Sequence, residues 1–273
     1  MTTELMTYEA PSGDTMIGKC QDLALVGRSG TWLFRGQADS SWRLVPTLLR
    51  QEPSGRFVNL PEGFTPEQFE THIASSCGSV LRTESTLPDR LVLNEDFVLA
   101  FLQHYGVPTR LSDWTRDPLI ALYFAASGAL RLQRLGPRLL SGKLAVFAMA
   151  SIYLGMGEAG LRNKLHLVSP AGNANLAAQR GLHVRHDWAE PDLLANTIDR
   201  PVSDPAANVS ARIETRLIRL DLDWNYTLDA LMLLERVGIS AATLFPSEYG
   251  LARRSEDLAL TTPWMDTLLG STR

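Results

Sequence analysis

The chain has 273 residues, 45% hydrophobic and 21% charged, which is the composition of an ordinary globular protein able to bury a substantial core. Its formal net charge of -4 argues against a polybasic coat for nucleic acid or anionic lipid. The N-terminus lacks a basic stretch followed by an apolar one, and no apolar run approaches the ~20 residues of a membrane helix. We therefore expect a cytoplasmic protein without a membrane partner.

Cysteine and histidine usage gives no sign of a metal centre. Cys20 and Cys77 are far apart, and the five histidines form neither an HExxH motif nor a Cys-His cluster. In a reducing compartment the two thiols are most simply small core residues. The sequence predicts no metal site.

The chain begins with residues 1–20, whose polar composition predicts a loose leader in front of a domain spanning 21–273. Residues 22–26 (DLALV) are typical of the end of a helix, and the apolar run from Trp32 (WLFRG) predicts a strand. The proline and glycine content of residues 51–65 indicates a loop.

Three helices are predicted next. A Thr-Pro pair at 65–66 is the N-cap and first residue of one helix, and Asn94 begins a second that ends at Gly106. An Asp-Pro pair at 117–118 caps a third. The residues of this third helix are apolar almost all round, which indicates that it is buried.

The second half of the chain mixes strands and helices around an irregular insertion near 186–214, which contains three prolines. Strands are predicted at 143–149, 215–223 and 239–245, and helices at 227–237 and from Ser247 onward. Because the order lacks the regular alternation of a doubly wound sheet, we predict an α+β fold with a mixed sheet and flanking helices.

The predicted strand from Trp32 ends in Arg35, Gly36 and Gln37. An arginine followed by glycine lets the backbone and the guanidinium fork approach a phosphate or carboxylate closely. Gln37, two residues on, shares the face of Arg35 and adds an amide donor and acceptor. Alternatively, Arg35 pairs with an internal aspartate and holds a loop in place.

A second polar stretch, QHYGVPTRLSDWTRDP at 103–118, precedes the predicted buried helix. The N-terminus of a helix offers free N–H groups and a positive dipole end, and a guanidinium, a hydroxyl and an indole beside it suit phosphate, ribose and base. Its candidate binding residues are His104, Tyr105, Thr109, Arg110, Asp113 and Trp114. The alternative is a capped helix with an internal Arg110–Asp113 pair.

Several of these motifs together resemble the FRG domain family. They are FRGQ at 34–37, QHYGxPTRLxDWT at 103–115 with ALYFA behind it, NANLAAQRG at 173–181, and LFP at 244–246. The resemblance runs in order from about residue 30 to 260 and implies a single FRG-type domain. Two departures are Ser112, where leucine is usual, and Asn175, which occupies about the usual arginine position.

The layout is more distantly similar to that of ADP-ribosyltransferases, and this resemblance implies a fold of that type with NAD as substrate. It implies that Arg35 faces the NAD phosphates and that Gln179 or Glu248 steadies the ribose. Cleavage of the nicotinamide–ribose bond creates an oxocarbenium-like centre, so a carboxylate or amide is required close to the sugar. We predict Gln179 as the ribose-positioning residue. Glu248 is the second candidate, because Ser247-Glu248 is also ordinary helix N-terminal chemistry.

The expected function is transfer of ADP-ribose from NAD to a macromolecular acceptor, either nucleic acid or protein. The family resemblance is compatible with a bacterial toxin or antiphage effector that has a regulatory partner or antitoxin. Two alternatives stay open at this point. One is a non-catalytic nucleotide- or nucleic-acid-binding module, and the other is a hydrolase that cleaves NAD or another nucleotide without an acceptor.

Overall fold

The computed structural model describes residues 3–26, 32–84, 94–135, 142–150, 164–166, 174–189, 191–195, 197–206 and 217–268. The strands are β1 (Thr3–Ala10), β2 (Trp32–Gln37), β3 (Leu111–Thr115), β4 (Lys143–Ala150), β5 (Lys164–His166), β6 (Gly181–Arg185), β7 (Thr197–Pro201) and β8 (Leu217–Asp223). The helices are α1 (Gly13–Val26), α2 (Pro66–Glu84), α3 (Glu95–His104), α4 (Pro118–Leu135), α5 (Ala174–Ala178), α6 (Thr227–Arg236), α7 (Ala241–Leu244) and α8 (Glu248–Leu268).

The strands form one mixed sheet in the order β5-β6-β3-β2-β4-β8-β1-β7. β1 runs parallel to both of its neighbours, β7 and β8, and the remaining pairs are antiparallel. This arrangement confirms the predicted α+β class with a mixed sheet.

The two faces of the sheet are covered differently. On one face α4 packs against β2 and β4 and also contacts α1 and α6, around fully buried residues such as Met16, Leu122 and Leu234. On the other face, a second core forms around Leu33 and Phe147 and is closed by loop residues that include Leu44 and Leu193. A third small core joins α3 to β3. No helix in the described part of the chain is long and apolar enough to cross a membrane.

Most predicted helix boundaries are confirmed because their capping signals are local. Thr65 and Gln68 exchange side-chain-to-backbone hydrogen bonds at the start of α2, as in a capping box. The Asn94 side chain accepts a hydrogen bond from Phe97 N at the start of α3, and Gly106, with φ of 82°, ends that helix. The strands predicted at 143–149 and 215–223 are β4 and β8, of which the latter begins at Leu217 in the described residues.

The prediction of a loose leader at residues 1–20 is wrong. Thr3–Ala10 is strand β1, which pairs with β8 on one side and β7 on the other, and α1 follows it directly. Leu5 and Met6 are both buried because they face the two opposite cores of the sheet. The polar residues around them hide this pattern, since a strand buried on both faces needs no apolar–polar alternation.

Two further predictions are corrected by the structure. Residues 239–245 were expected to form a strand, but Ala241–Leu244 is the short helix α7, because Ser240 and Thr243 form a reciprocal capping box. The insertion near 186–214 contains strand β7, which adds to the edge of the sheet beside β1. Its residues 190, 196 and 207–214 lie outside the described part of the chain.

Gly36 in β2 lies directly beneath α4. A methyl group on Gly36 would overlap the carbonyl oxygen of Ala121 and would lie 2.8 Å from the backbone nitrogen of Ala125. Because these are backbone atoms, no side-chain rotation can relieve the overlap. Gly36 is therefore required for the close approach of strand and helix, which is a different reason from the anion approach expected from sequence.

We expect Gly36→Ala to lower the free energy of unfolding by roughly 1–3 kcal/mol or more, since α4 must move away from the sheet. Gly18→Ala is the matched control, because a methyl group at Gly18 in α1 meets no atom within 4 Å. That change should be neutral or stabilising by ~0.5–1 kcal/mol. Equilibrium denaturation of the two variants measures the difference, and equal effects would contradict the proposed packing role.

Candidate functional site

A cleft opens where β2 and β3 separate. β2 pairs with β4 along its whole length, and β3 pairs with β6 along its whole length, but β2 and β3 share only the Phe34–Thr115 pair. The cleft between them has a volume of about 680 Å³, within the usual range of sites for small ligands. Its lining includes residues of β2, β3, α3, α4, α5 and β6, together with Phe245 and Tyr249.

Arg35 lies in this opening and holds its two sides together. The Arg35 Nη1 donates a 2.8 Å hydrogen bond to the backbone carbonyl of Asp113 in β3. Burial lowers the pKa of Arg35, the carboxylate of Asp113 opposes that effect, and Arg50 adds to it. An arginine stays protonated in proteins, so this side chain is a cation bonded to a backbone carbonyl. The sequence had left open an ion pair with an aspartate side chain instead.

Asp113 presents its carboxylate to the cleft. One oxygen lies 3.1 Å from Nδ1 of His183, and the other accepts a 3.3 Å hydrogen bond from Nε2 of Gln103. Desolvation works against the charged form, but His183, Arg35 and Gln103 outweigh it and lower the pKa of Asp113. The side chain is 67% exposed, so water screens these attractions while leaving the carboxylate accessible.

Thr109 and Gln37 do not line the cleft, although both were predicted site residues. Thr109 is fully buried and donates a 2.7 Å hydrogen bond to Oε1 of Gln103, which turns the amide nitrogen of Gln103 towards Asp113. Gln37 is 7% exposed and its amide donates to the carbonyl of Arg43. Thr109 therefore acts on the cleft through Gln103, and Gln37 supports the loop after β2.

Arg110 is also outside the cleft. Its Nε lies 2.9 Å from a carboxylate oxygen of Glu70 in α2, and its guanidinium stacks 4.4 Å from the ring of Trp188. The side chains of Arg110 and Glu70 are only 12% and 3% exposed. Arg110 thus attaches α2 to the segment before β3, and its close carboxylate partner is Glu70, not the Asp113 of the alternative prediction.

Trp114 borders the cleft but uses its N–H internally. The indole nitrogen donates a 2.9 Å hydrogen bond to Oγ of Ser112, which lies 2.6 Å from Nε2 of His186. Nδ1 of His186 lies 2.6 Å from the carbonyl of Pro191, an atom that can only accept. His186 must therefore carry its proton on Nδ1 and accept at Nε2 from Ser112, so Ser112 links the indole of Trp114 to His186.

Burial lowers the pKa of His186 to about 4, although the hydrogen bond to Pro191 opposes the shift. The unfolded chain takes up this proton near pH 6.5, so the unfolded state binds more protons between these values. The stabilising contribution is complete above about pH 6.5 and is lost as the pH falls towards 4. The loss can reach roughly 3 kcal/mol, since one pKa unit corresponds to about 1.4 kcal/mol.

We therefore expect His186→Gln to flatten the fall in stability between pH 6.5 and pH 4, because its side chain takes up no proton there. The measurement is chemical denaturation at a series of pH values. His72→Gln, at an exposed position on α2, is the control and should keep the slope of the unmodified protein. Parallel curves for all three proteins would show that His186 is not the buried titrating group.

Aromatic side chains form the walls of the cleft. Phe124 packs edge-on against Phe245 at 6.0 Å between ring centroids, and Phe245 packs edge-on against Tyr249 at 5.3 Å. His104 and Tyr105, both exposed at the end of α3, contact each other at 5.0 Å and also line the cleft. The arrangement offers apolar ring surface in the same cleft as the charged side chains of Arg35 and Asp113.

The two predicted catalytic residues differ in position. Gln179 lines the cleft, and its Nε2 donates a 3.1 Å hydrogen bond to the carbonyl of Leu244. The backbone carbonyl of Gln179 accepts a 2.7 Å hydrogen bond from Oγ1 of Thr115, so the turn before β6 is fixed to β3. Glu248 is exposed at the first position of α8 and is not part of the lining. Only Gln179 is brought together with Arg35 and Asp113.

The N-terminus of α4 is not the open anion site that the sequence suggested. Asp117 occupies it, since one carboxylate oxygen accepts from Leu119 N and the other pairs with Arg180 at 3.1 Å. Sequence reasoning also missed cleft residues that come from separate segments: Gln103, Phe124, Asn175, His183, Phe245 and Tyr249. Phe124 and Phe245 do lie in the ALYFA and LFP motifs. His183 has no comparable local signal.

In the described part of the chain, no group of three or more His, Cys, Asp or Glu residues is placed to hold a metal ion.

Residues 30–133 match the family model described as FRG domain. The chain therefore carries an FRG domain in this segment. The matched segment contains β2, β3 and the residues that join Arg35 to Asp113. The later motifs at 173–181 and 244–246 lie beyond it, and Asn173 is outside the described residues.

No curated protein and no solved structure matches the chain.

Proposed function

We propose that the protein is an NAD-dependent ADP-ribosyltransferase that modifies a macromolecular acceptor, either nucleic acid or protein. The observation that carries this proposal is the cleft between β2 and β3, where a guanidinium, a carboxylate and aromatic rings surround a space of about 680 Å³. A dinucleotide with a pyrophosphate and two flat rings has the matching chemistry.

Arg35 is the candidate for binding the pyrophosphate. The guanidinium has five N–H donors, and its hydrogen bond to the Asp113 carbonyl uses one of them. The fork can therefore contact a phosphate while it holds β3. A lysine would supply the charge but not two bonds in different directions.

The nicotinamide ring is expected against the aromatic wall of Phe124, Phe245 and Tyr249. Gln179 lies in the same lining, and its amide carbonyl is able to accept from a ribose hydroxyl while its Nε2 binds Leu244. This position favours Gln179 over the exposed Glu248 as the ribose-positioning residue. We extend the proposal to a cytoplasmic location and to a role as a bacterial toxin or antiphage effector. Such an effector would have a regulatory partner or antitoxin.

An NAD hydrolase is the second candidate. The observation that favours it is the 67% exposure of the Asp113 side chain, which gives water access to the carboxylate. A hydrolase would release nicotinamide without labelling a polymer. A binding module would retain NAD and release nothing.

The functional test is incubation with NAD labelled in its ADP-ribose part and with a cleared cell lysate, followed by measurement of free nicotinamide and labelled polymer. The transferase should produce both. Nicotinamide without labelled polymer would indicate the hydrolase. The absence of both products would contradict NAD cleavage altogether.

In a binding titration with NAD we expect Arg35→Lys to lower the affinity by about 10- to 100-fold, since one or two charge-assisted hydrogen bonds are lost. Arg219→Lys is the matched control. Arg219 is a half-buried, ion-paired arginine on β8 that lies outside the cleft. Thermal melts must accompany the binding data, because Arg35 also bonds to β3. An unchanged affinity with a large loss of stability would make Arg35 purely structural.

A further inference from the structure

The cleft contains a carboxylate that takes no part in the NAD contacts proposed for Arg35, the aromatic wall and Gln179. Among the described residues of the lining, Asp113 is the one acidic side chain. One of its oxygens lies 3.1 Å from His183 and the other is held by Gln103. Both contacts approach from the protein side, and the carboxylate is nonetheless 67% exposed. The geometry therefore fixes the orientation of an acid that a ligand can reach.

The relative burial of the pair shows which member meets the ligand. His183 is 5% exposed, and it lies behind Asp113 on the neighbouring strand, in register with it. Gln103 is fixed in turn by the buried hydroxyl of Thr109. His183 and Gln103 are thus positioning residues, and the exposed carboxylate is the group that can act on a bound molecule.

The surroundings of Asp113 favour its charged form. Arg35 on β2, Arg50 in the loop beyond β2 and His183 on β6 face it with positive or hydrogen-bonding groups. Gln103 donates to it from α3, and His104 is a further titratable residue of the same cleft. Their combined effect lowers the pKa of Asp113 despite desolvation. The carboxylate is therefore ionised at neutral pH, which is the form that a proton acceptor requires.

We propose that Asp113 is the general base that takes the proton from the attacking group. The acceptor hydroxyl attacks C1′ of the nicotinamide ribose, and the bond from C1′ to the nicotinamide nitrogen breaks. The electron pair of that bond leaves with neutral nicotinamide, and the hydroxyl proton passes to Asp113. The product is ADP-ribosylated acceptor, and the proton is later released to water.

This inference rests on the proposed transferase function and assigns a residue to its chemical step. A pyrophosphate on Arg35 would bring the attached ribose close to Asp113, because the guanidinium is bonded to the backbone of that same residue. The exposed Glu248 lies outside the cleft, and Gln179 has an amide that cannot take up a proton.

The test is a single-turnover measurement of nicotinamide release with NAD and cleared lysate. Asp113→Asn preserves the shape of the side chain and should lower the rate by ~10²–10⁴-fold, as expected for loss of a general base. NAD affinity should change by less than about threefold, since the role is in the chemical step. Asp14→Asn, at an exposed position in the first turn of α1, should retain the full rate.

A second variant separates proton transfer from structure. In Asp113→Ala, added formate can occupy the vacated space and accept the proton, so it should restore part of the rate. A purely structural defect would not respond to formate. Thermal melts verify that both variants are folded. The formate response is read from Asp113→Ala, and the loss of rate is read from Asp113→Asn.

The outcomes distinguish the two proposals. An active unmodified protein whose Asp113→Asn variant keeps more than about a third of the rate would overturn the base role and leave the transferase intact. The base role would also be overturned if Asp113→Asn changed only the NAD affinity. It would be overturned as well if Glu248→Gln were inactive while Asp113→Asn stayed active. If the unmodified protein releases no nicotinamide, the transferase proposal fails and the role of Asp113 fails with it.

Discussion

The site depends on one hydrogen bond, from the guanidinium of Arg35 to the backbone carbonyl of Asp113. β2 and β3 share a single residue pair, so the sheet would otherwise leave this carbonyl without a strand partner in a partly buried position. The arginine satisfies it with a side chain that reaches across the gap. As a result the sheet remains continuous on both sides while a cleft large enough for a nucleotide opens between the two strands.

Many motif residues of the FRG domain line this opening, and others build the fold around it. Gly36 allows α4 to pass directly over β2, and Thr109 orients Gln103. Arg110 attaches α2 through Glu70, and Trp114 completes a hydrogen-bonded chain with Ser112. The sequence motif therefore includes residues that stabilise the fold as well as residues that line the cleft. Arg35 and Asp113 are the charged residues of the second group on β2 and β3.

Sequence reasoning succeeded where the determining interactions are local. The capping groups Thr65, Asn94 and Asp117 identified the starts of three helices because their partners lie two or three residues away. It failed where the partner is distant. β1 is stabilised by pairing with β8, more than 200 residues later in the chain. His183 reaches Asp113 only through the β3–β6 register, and no short-range pattern reports that contact.

The most direct test of the account is a crystal structure of the protein with a carbocyclic NAD analogue that cannot be cleaved. We expect the pyrophosphate to accept hydrogen bonds from Arg35 and the nicotinamide ring to lie against Phe245 and Tyr249. The carbocycle that replaces the nicotinamide ribose should then lie beside the carboxylate of Asp113. An analogue bound elsewhere, or a cleft that stays empty at saturating analogue while Arg35 contacts only Asp113, would contradict it.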